Sequence, residues 1–81
     1  MKFHPHAVIR MMERGASEEE VATAIFEGER FAAKFGRQGF RRNFAFGGPW
    51  RGRHYHMKQV EEFAIQEDND WLVISVIVKY F

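Results

Sequence analysis

The closing stretch, Trp71–Phe81, is apolar at nearly every position and consists mostly of β-branched and aromatic residues. That composition suits a pleated surface. Both parities are apolar: Leu72, Ile74, Val76, Val78 and Tyr80 on one, Trp71, Val73, Ile77 and Phe81 on the other. A strand apolar on both sides is expected deep in a sheet, with cover on each face. Ser75 and Lys79 break the pattern, and they share a parity.

Earlier in the chain the period is helical. Pro5 in His4-Pro5-His6 suits a first helical position, and Gly15 suits the residue after a helix end. The spacing predicts a helix to about Arg14, with Val8, Met11 and Met12 as its apolar stripe. His6, Arg10 and Arg14 follow at i, i+4 and i+8, within an arc of about 80° on the other side. Ser17 with Glu20 forms a capping box, and Glu18, Glu19 and Glu20 suit the positive end of a helix dipole. This second helix is expected to run to about Glu27, with Val21, Ala24 and Ile25 inward and Gly28 as its stop.

After Gly28 the period becomes two. Strands are expected over Glu29–Phe35 and Phe40–Phe46, with a turn at Gly36–Gly39 between them. Arg42 falls on the apolar parity of Phe40, Phe44 and Phe46. Gly47–Gly52 reads as a loop, because Pro49 argues against a central strand. Arg53–Gln59 is mixed. Val60–Gln66 alternates Phe63 and Ile65 against Glu62 and Gln66, and Asp68–Asp70 is a turn. The expected fold is α+β: an N-terminal helical hairpin packed on a mostly antiparallel sheet of about four strands, in a single domain.

Composition adds three limits. An 81-residue chain buries about 60–65% of its unfolded surface, so its stability margin is thin. Nine Phe, two Tyr and two Trp supply much of the core, and a homodimer would add burial. With no cysteine there is neither a disulfide nor a thiolate metal site, which fits a reducing compartment. No export signal or run of the ~20 apolar residues needed to span a bilayer is read, so a cytoplasmic protein with no membrane partner is expected.

The net charge of +1 hides a segregation: Arg30 to Lys58 holds eight Lys and Arg residues and no acid. Such a block marks either a polyanion-binding face or solubilised strands.

The motif His6-Ala7-x-x-Arg10-Met11-x-x-Arg14-Gly15-Ala16-Ser17 resembles the opening of a large bacterial family of small proteins, the domain of unknown function 4258. Lys58-Gln59-Val60-Glu61 resembles its Lys-x-Val element. Val73-Ile74-Ser75-Val76 resembles its closing Val-x-Thr-Val strand, with Ser75 in place of the usual Thr. The glycine-rich stretch Gly36–Gly52 has no counterpart in that pattern. By layout the resemblance extends to small toxin ribonucleases of the RelE and barnase-like type, a likeness of fold that does not carry activity by itself. It implies a toxin-like, RNA-engaging bacterial protein with RNA or an antitoxin-like protein as partner.

Metal-independent RNA cleavage needs a proton carrier and cations for the phosphorane. His6 is the candidate carrier, with Arg10 and Arg14 as phosphate ligands. The competing reading pairs Arg10 and Arg14 with Glu13 or nearby carboxylates and has His6 cap the helix start. Arg42, Ser75 and Lys79 form a second candidate cluster if one sheet face carries them beside the first helix. Arg41, Arg51, Arg53, His54 and His56, with Trp50 and Tyr55 interleaved, offer phosphate and stacking contacts to RNA. His54 and His56 project to the same side of a strand, but no third metal ligand is evident, and neither metal nor cofactor is expected. Glu61 and Glu62 read as a solvated face. The leading expectation is a ribonuclease-like, RNA-engaging domain; the alternative is a non-catalytic interaction module that dimerises or docks an acidic partner.

Overall fold

Pro5 begins the first helix because its missing N–H is one of the donors a helix start leaves unbonded anyway. In the computed structural model, which describes all of residues 1–81, this helix is α1 (Pro5–Arg14) and its N-cap is His4, not His6. His4 Nδ1 accepts the His6 N–H at 3.1 Å. Gly15 ends α1 at φ +78°, and a Cβ there would lie 2.6 Å from Tyr80 Oη and 2.9 Å from the Trp50 ring, so only glycine fits. The second helix, α2 (Glu18–Glu27), opens on the expected capping box, with both Ser17–Glu20 bonds made.

A two-residue strand, β1 (Lys2–Phe3), precedes the helices. After them come β2 (Glu29–Ala32), β3 (Gln38–Trp50), β4 (Arg53–Glu67) and β5 (Asp70–Tyr80). The sheet order is β1-β5-β4-β3-β2. The fold is α+β, but with five strands, and β1 runs parallel to β5, so the sheet is mixed. Both helices pack on one face. Ala7 and Met11 of α1 and Val21 and Ile25 of α2 form one cluster with Phe40, Val60, Ala64, Val73 and Val76 of the sheet, and Ala24 is buried as well.

The expected α1 stripe is rotated. Ala7 and Met11 point inward, whereas Val8, Ile9 and Met12 lie exposed. Alanine at position 7 lets the helix approach the sheet closely. The centre of the sheet is β4, not β5. Along β4, Lys58, Val60, Glu62 and Ala64 are buried toward the helices, while Phe63 and Ile65 face outward. The period of two is as expected; its phase is opposite.

The closing strand β5 is not covered on both sides. A bulge makes Phe63 pair with Ser75 but Ala64 with Val73, leaving Ile74 as the extra residue. Val73 and Val76, three apart, therefore both face the helices, joined by Trp71 and Val78. Leu72, Ser75, Ile77 and Lys79 fall on the helix-free face.

The expected loop at Gly47–Gly52 is mostly strand. Trp50 pairs with Arg53 across a two-residue turn in which Arg51 (φ +49°) and Gly52 (φ +84°) both take left-handed backbone, the geometry that matches strand twist. Pro49, one step back, aims its nitrogen away from β4. On that side β2 reaches only to Arg41, so no ladder bond is lost.

Candidate functional site

Each of the first-helix candidates has a defined place. His6 is exposed at the first turn of α1. Arg10 Nη1 pairs with Glu13 Oε2 at 2.9 Å, one of the two pairings weighed for it. Arg14 Nη1 donates to the Val76 carbonyl at 2.7 Å, across to β5. β1 pairs with only Leu72 and Val73, so the outer edge of β5 is bare beyond that point. Arg14 supplies there the donor that a neighbouring strand would have given. His6 and Arg14 stand eight residues apart, about 12 Å along the axis.

The cluster of Arg42, Ser75 and Lys79 does not form. Arg42 faces the helices, with Nη1 3.8 Å from Glu27 Oε1 and its guanidinium over the Phe44 ring. Ser75 lies on the opposite face, level with Phe63, and Lys79 lies level with Gln59 on that same open face. The bulge at Ile74 and the alternation of β3 separate them. Arg41, one residue from Arg42, also takes the open face. Its Nε is 3.5 Å from Glu61 Oε2 and its guanidinium sits 4.2 Å from the Phe31 ring centroid.

Two cations of the basic block help to hold the end of α1. The last carbonyls of a helix have no partner within it. Here Arg51 Nη2 donates to the Glu13 carbonyl at 2.8 Å, Tyr80 Oη to the Arg14 carbonyl at 2.7 Å, and Lys58 Nζ to the Gly15 carbonyl. Two of the three donors are cations, which the negative helix end favours. Lys58 is buried and also pairs with Glu20 Oε1 at 2.8 Å. Trp50 stacks on Tyr80 at 4.7 Å between centroids, and burial raises the Tyr80 phenol above its ordinary value.

What remains is the distal part of the β3–β4 hairpin. β5 pairs with β4 only from Lys58 inward, apart from Phe81, which bonds His56 and Met57. Beyond that point Gly48–Trp50 and Arg53–Tyr55 form a two-stranded ribbon, bent by the irregularity between Ala45 and Gly48 so that Trp50 and Arg51 reach the end of α1. Its exposed polar side chains are Arg51, Arg53 and His54, and His56 is exposed one residue beyond. The two imidazoles stand 5.7 Å apart, and Arg53 lies 5.8 Å from the Tyr55 ring. No group of three or more His, Asp or Glu is arranged to hold a metal ion.

Glu62 is not on a solvated face; it is 0% exposed, level with Phe40 and Val76 beneath the helices. Neither carboxylate oxygen has a partner. Burial first, and Glu61 second, push its pKa up to about 9, so it is a neutral acid at physiological pH. The signal lay in its parity, which it shares with Val60 and Ala64.

Comparisons with protein-family models, with curated proteins and with solved structures find no match for this chain.

Proposed function

We propose that this protein is an RNA-engaging module whose contact surface is the basic ribbon bearing Arg53, His54 and His56. The observation that supports this most is that the cations around the end of α1 and on the helix side of the sheet are bonded within the fold, whereas Arg53 on the ribbon is not. Arg10, Arg14, Arg42, Arg51 and Lys58 are bonded to carboxylates or to backbone carbonyls. Arg53 sits exposed beside His54 and His56 in a stretch, Phe44 to Val60, with no carboxylate in it. Exposed cations beside an aromatic ring suit phosphate contacts with stacking alongside. In this reading the protein binds RNA, and His6, whose neighbouring arginines are engaged elsewhere, is not the centre of a cleaving site. The toxin-like role, the cytoplasmic setting and an antitoxin-like partner belong to the same proposal through the family resemblance. The test is fluorescence anisotropy with labelled single-stranded RNA at several salt concentrations, with EDTA present and the RNA checked for cleavage. Affinity should fall steeply with salt and the RNA should stay intact. Cleavage that is lost in His6→Ala would replace binding with catalysis.

A second reading, self-association, is favoured by the helix-free face of the sheet. Met57, Ile65, Leu72 and Ile77 lie there half-buried with no layer over them. Light scattering on wild type and Ile65→Lys distinguishes it: a dimer that the charge dissolves supports it, and a wild-type monomer removes it. No helix of the protein is long and apolar enough to cross a membrane.

A further inference from the structure

At the end of β3 remote from the ribbon, the open face of the sheet holds a hollow of about 370 Å³ lined by Phe31, Ala33, Phe35 and Phe63 together with Lys34 and Arg37. Its position follows from Gly39. In the ladder Phe31 stands opposite Gly39, and Gly39 opposite Phe63. A Cβ on Gly39 would lie 2.2 Å from the Phe31 ring, so the missing side chain is what lets that ring lie over the strand. Phe31 and Phe63 then meet edge to face at 6.1 Å and form one apolar wall.

Phe35 forms the opposite side. It is 87% exposed and sits at φ +60°, left-handed backbone that a bulky residue rarely adopts. An aromatic ring held in water on strained backbone gains nothing from the fold, and such strain recurs at ligand clamps. Arg37 places its guanidinium 5.9 Å from that ring. Neither Lys34 nor Arg37 takes part in an ion pair, and no carboxylate lines the hollow.

We propose that this hollow binds a small amphiphilic carboxylate, its apolar body against Phe31, Phe35 and Phe63 and its carboxylate on Lys34 and Arg37. The volume lies at the lower end of the range of about 300–1,000 Å³ for small-molecule pockets. The side-chain walls offer no hydrogen-bonding group besides the two cations. A polar heterocycle such as a nucleobase would therefore lose water there without replacement, whereas an alkyl chain or plain ring would not. The unpaired cations set the sign of the head group, and Arg37 has the fork that a carboxylate matches. This site is separate from the ribbon and does not depend on RNA engagement.

The experiment is isothermal titration of the full chain with octanoate, with octylammonium and acetate as probes of the charge and of the chain. Octanoate should bind saturably at one site per chain, and the other two should not bind. Phe35→Ala, and separately the double variant Lys34→Glu with Arg37→Glu, should each weaken octanoate by about tenfold or more. Lys34 and Phe35 are exposed and Arg37 is half-buried with no ion pair, so the thermal unfolding midpoint should move little, and RNA affinity at the ribbon should be unchanged in Phe35→Ala. Lys34→Arg should retain binding. The proposal is overturned by absent or unsaturable octanoate binding, by octylammonium binding equally well, by charge reversal without effect, or by association with anionic vesicles in place of free octanoate.

Discussion

Lys58 Nζ, on the central strand, donates to Glu20 Oε1 at 2.8 Å while the same ammonium also reaches the Gly15 carbonyl. One side chain thus ties the end of α1 and the first turn of α2 to β4. Glu20 Oε1 already accepts the Ser17 N–H in the capping box, so the local helix signal and the tertiary clasp share an atom. Lys58→Met should keep the buried stem and lose both bonds. The expected loss is on the order of 2–3 kcal/mol by chemical denaturation, because two partners are left unmet.

Gly15→Ala should be costly for two independent reasons, the left-handed φ of +78° and the approach of Tyr80 and Trp50. A loss of at least about 2 kcal/mol is expected, beyond the usual penalty for alanine at such a position. Gly36→Ala serves as the control. It also has positive φ but open space around it, so it should cost clearly less. Equal losses at the two sites would show that steric fit at Gly15 is not the cause.

Glu62 makes stability depend on pH. The folded chain holds the proton up to about pH 9, whereas an unfolded glutamate releases it near 4.5. Between those values the unfolded state binds fewer protons, so stability falls as pH rises through that window. Glu62→Gln keeps the shape and cannot ionise. Relative to wild type it should gain on the order of 1–4 kcal/mol on going from pH 5 to pH 8. A wild-type minus variant difference that is flat over this range would mean that Glu62 is ionised in the fold.

Arg14 is placed as an architectural donor. Arg14→Met should cost about 1–2 kcal/mol through the lost bond to the Val76 carbonyl. It should leave RNA affinity within about twofold of wild type. A large loss of affinity with unchanged stability would return Arg14 to a ligand-binding role.

The parts of this fold that local chemistry dictates were legible in the sequence. Ser17 with Glu20 placed α2, Pro5 and Gly15 bracketed α1, and Asp68-Asn69 marked a turn whose residues take φ of +51° and +62°. What was not legible depends on partners distant in sequence. The inward phase of β4 is decided by α2 lying over Val60 and Ala64, and two large residues on the other parity, Phe63 and Ile65, argued the wrong way. The strand through Pro49 required knowing that β2 stops short. The bulge at Ile74 required the register against β4, and without it Ser75 and Arg42 could be imagined on one face. The spacing of His6, Arg10 and Arg14 did not reveal which partners the two arginines take in the fold. That Arg14 reaches a β5 carbonyl could be seen only once β1 was known to cover two residues of that strand.

The most direct test of the division between structural and ligand-facing cations is a paired RNA titration. One variant carries Arg53→Glu, His54→Ala and His56→Ala on the ribbon; the other carries His6→Ala and Arg10→Ala on α1. All the substituted side chains are exposed or half-buried, so both variants should fold. The ribbon variant should bind labelled RNA at least about tenfold more weakly, with a shallower salt dependence, and the α1 variant should match wild type. Loss of binding in the α1 variant with the ribbon variant unaffected would contradict the account.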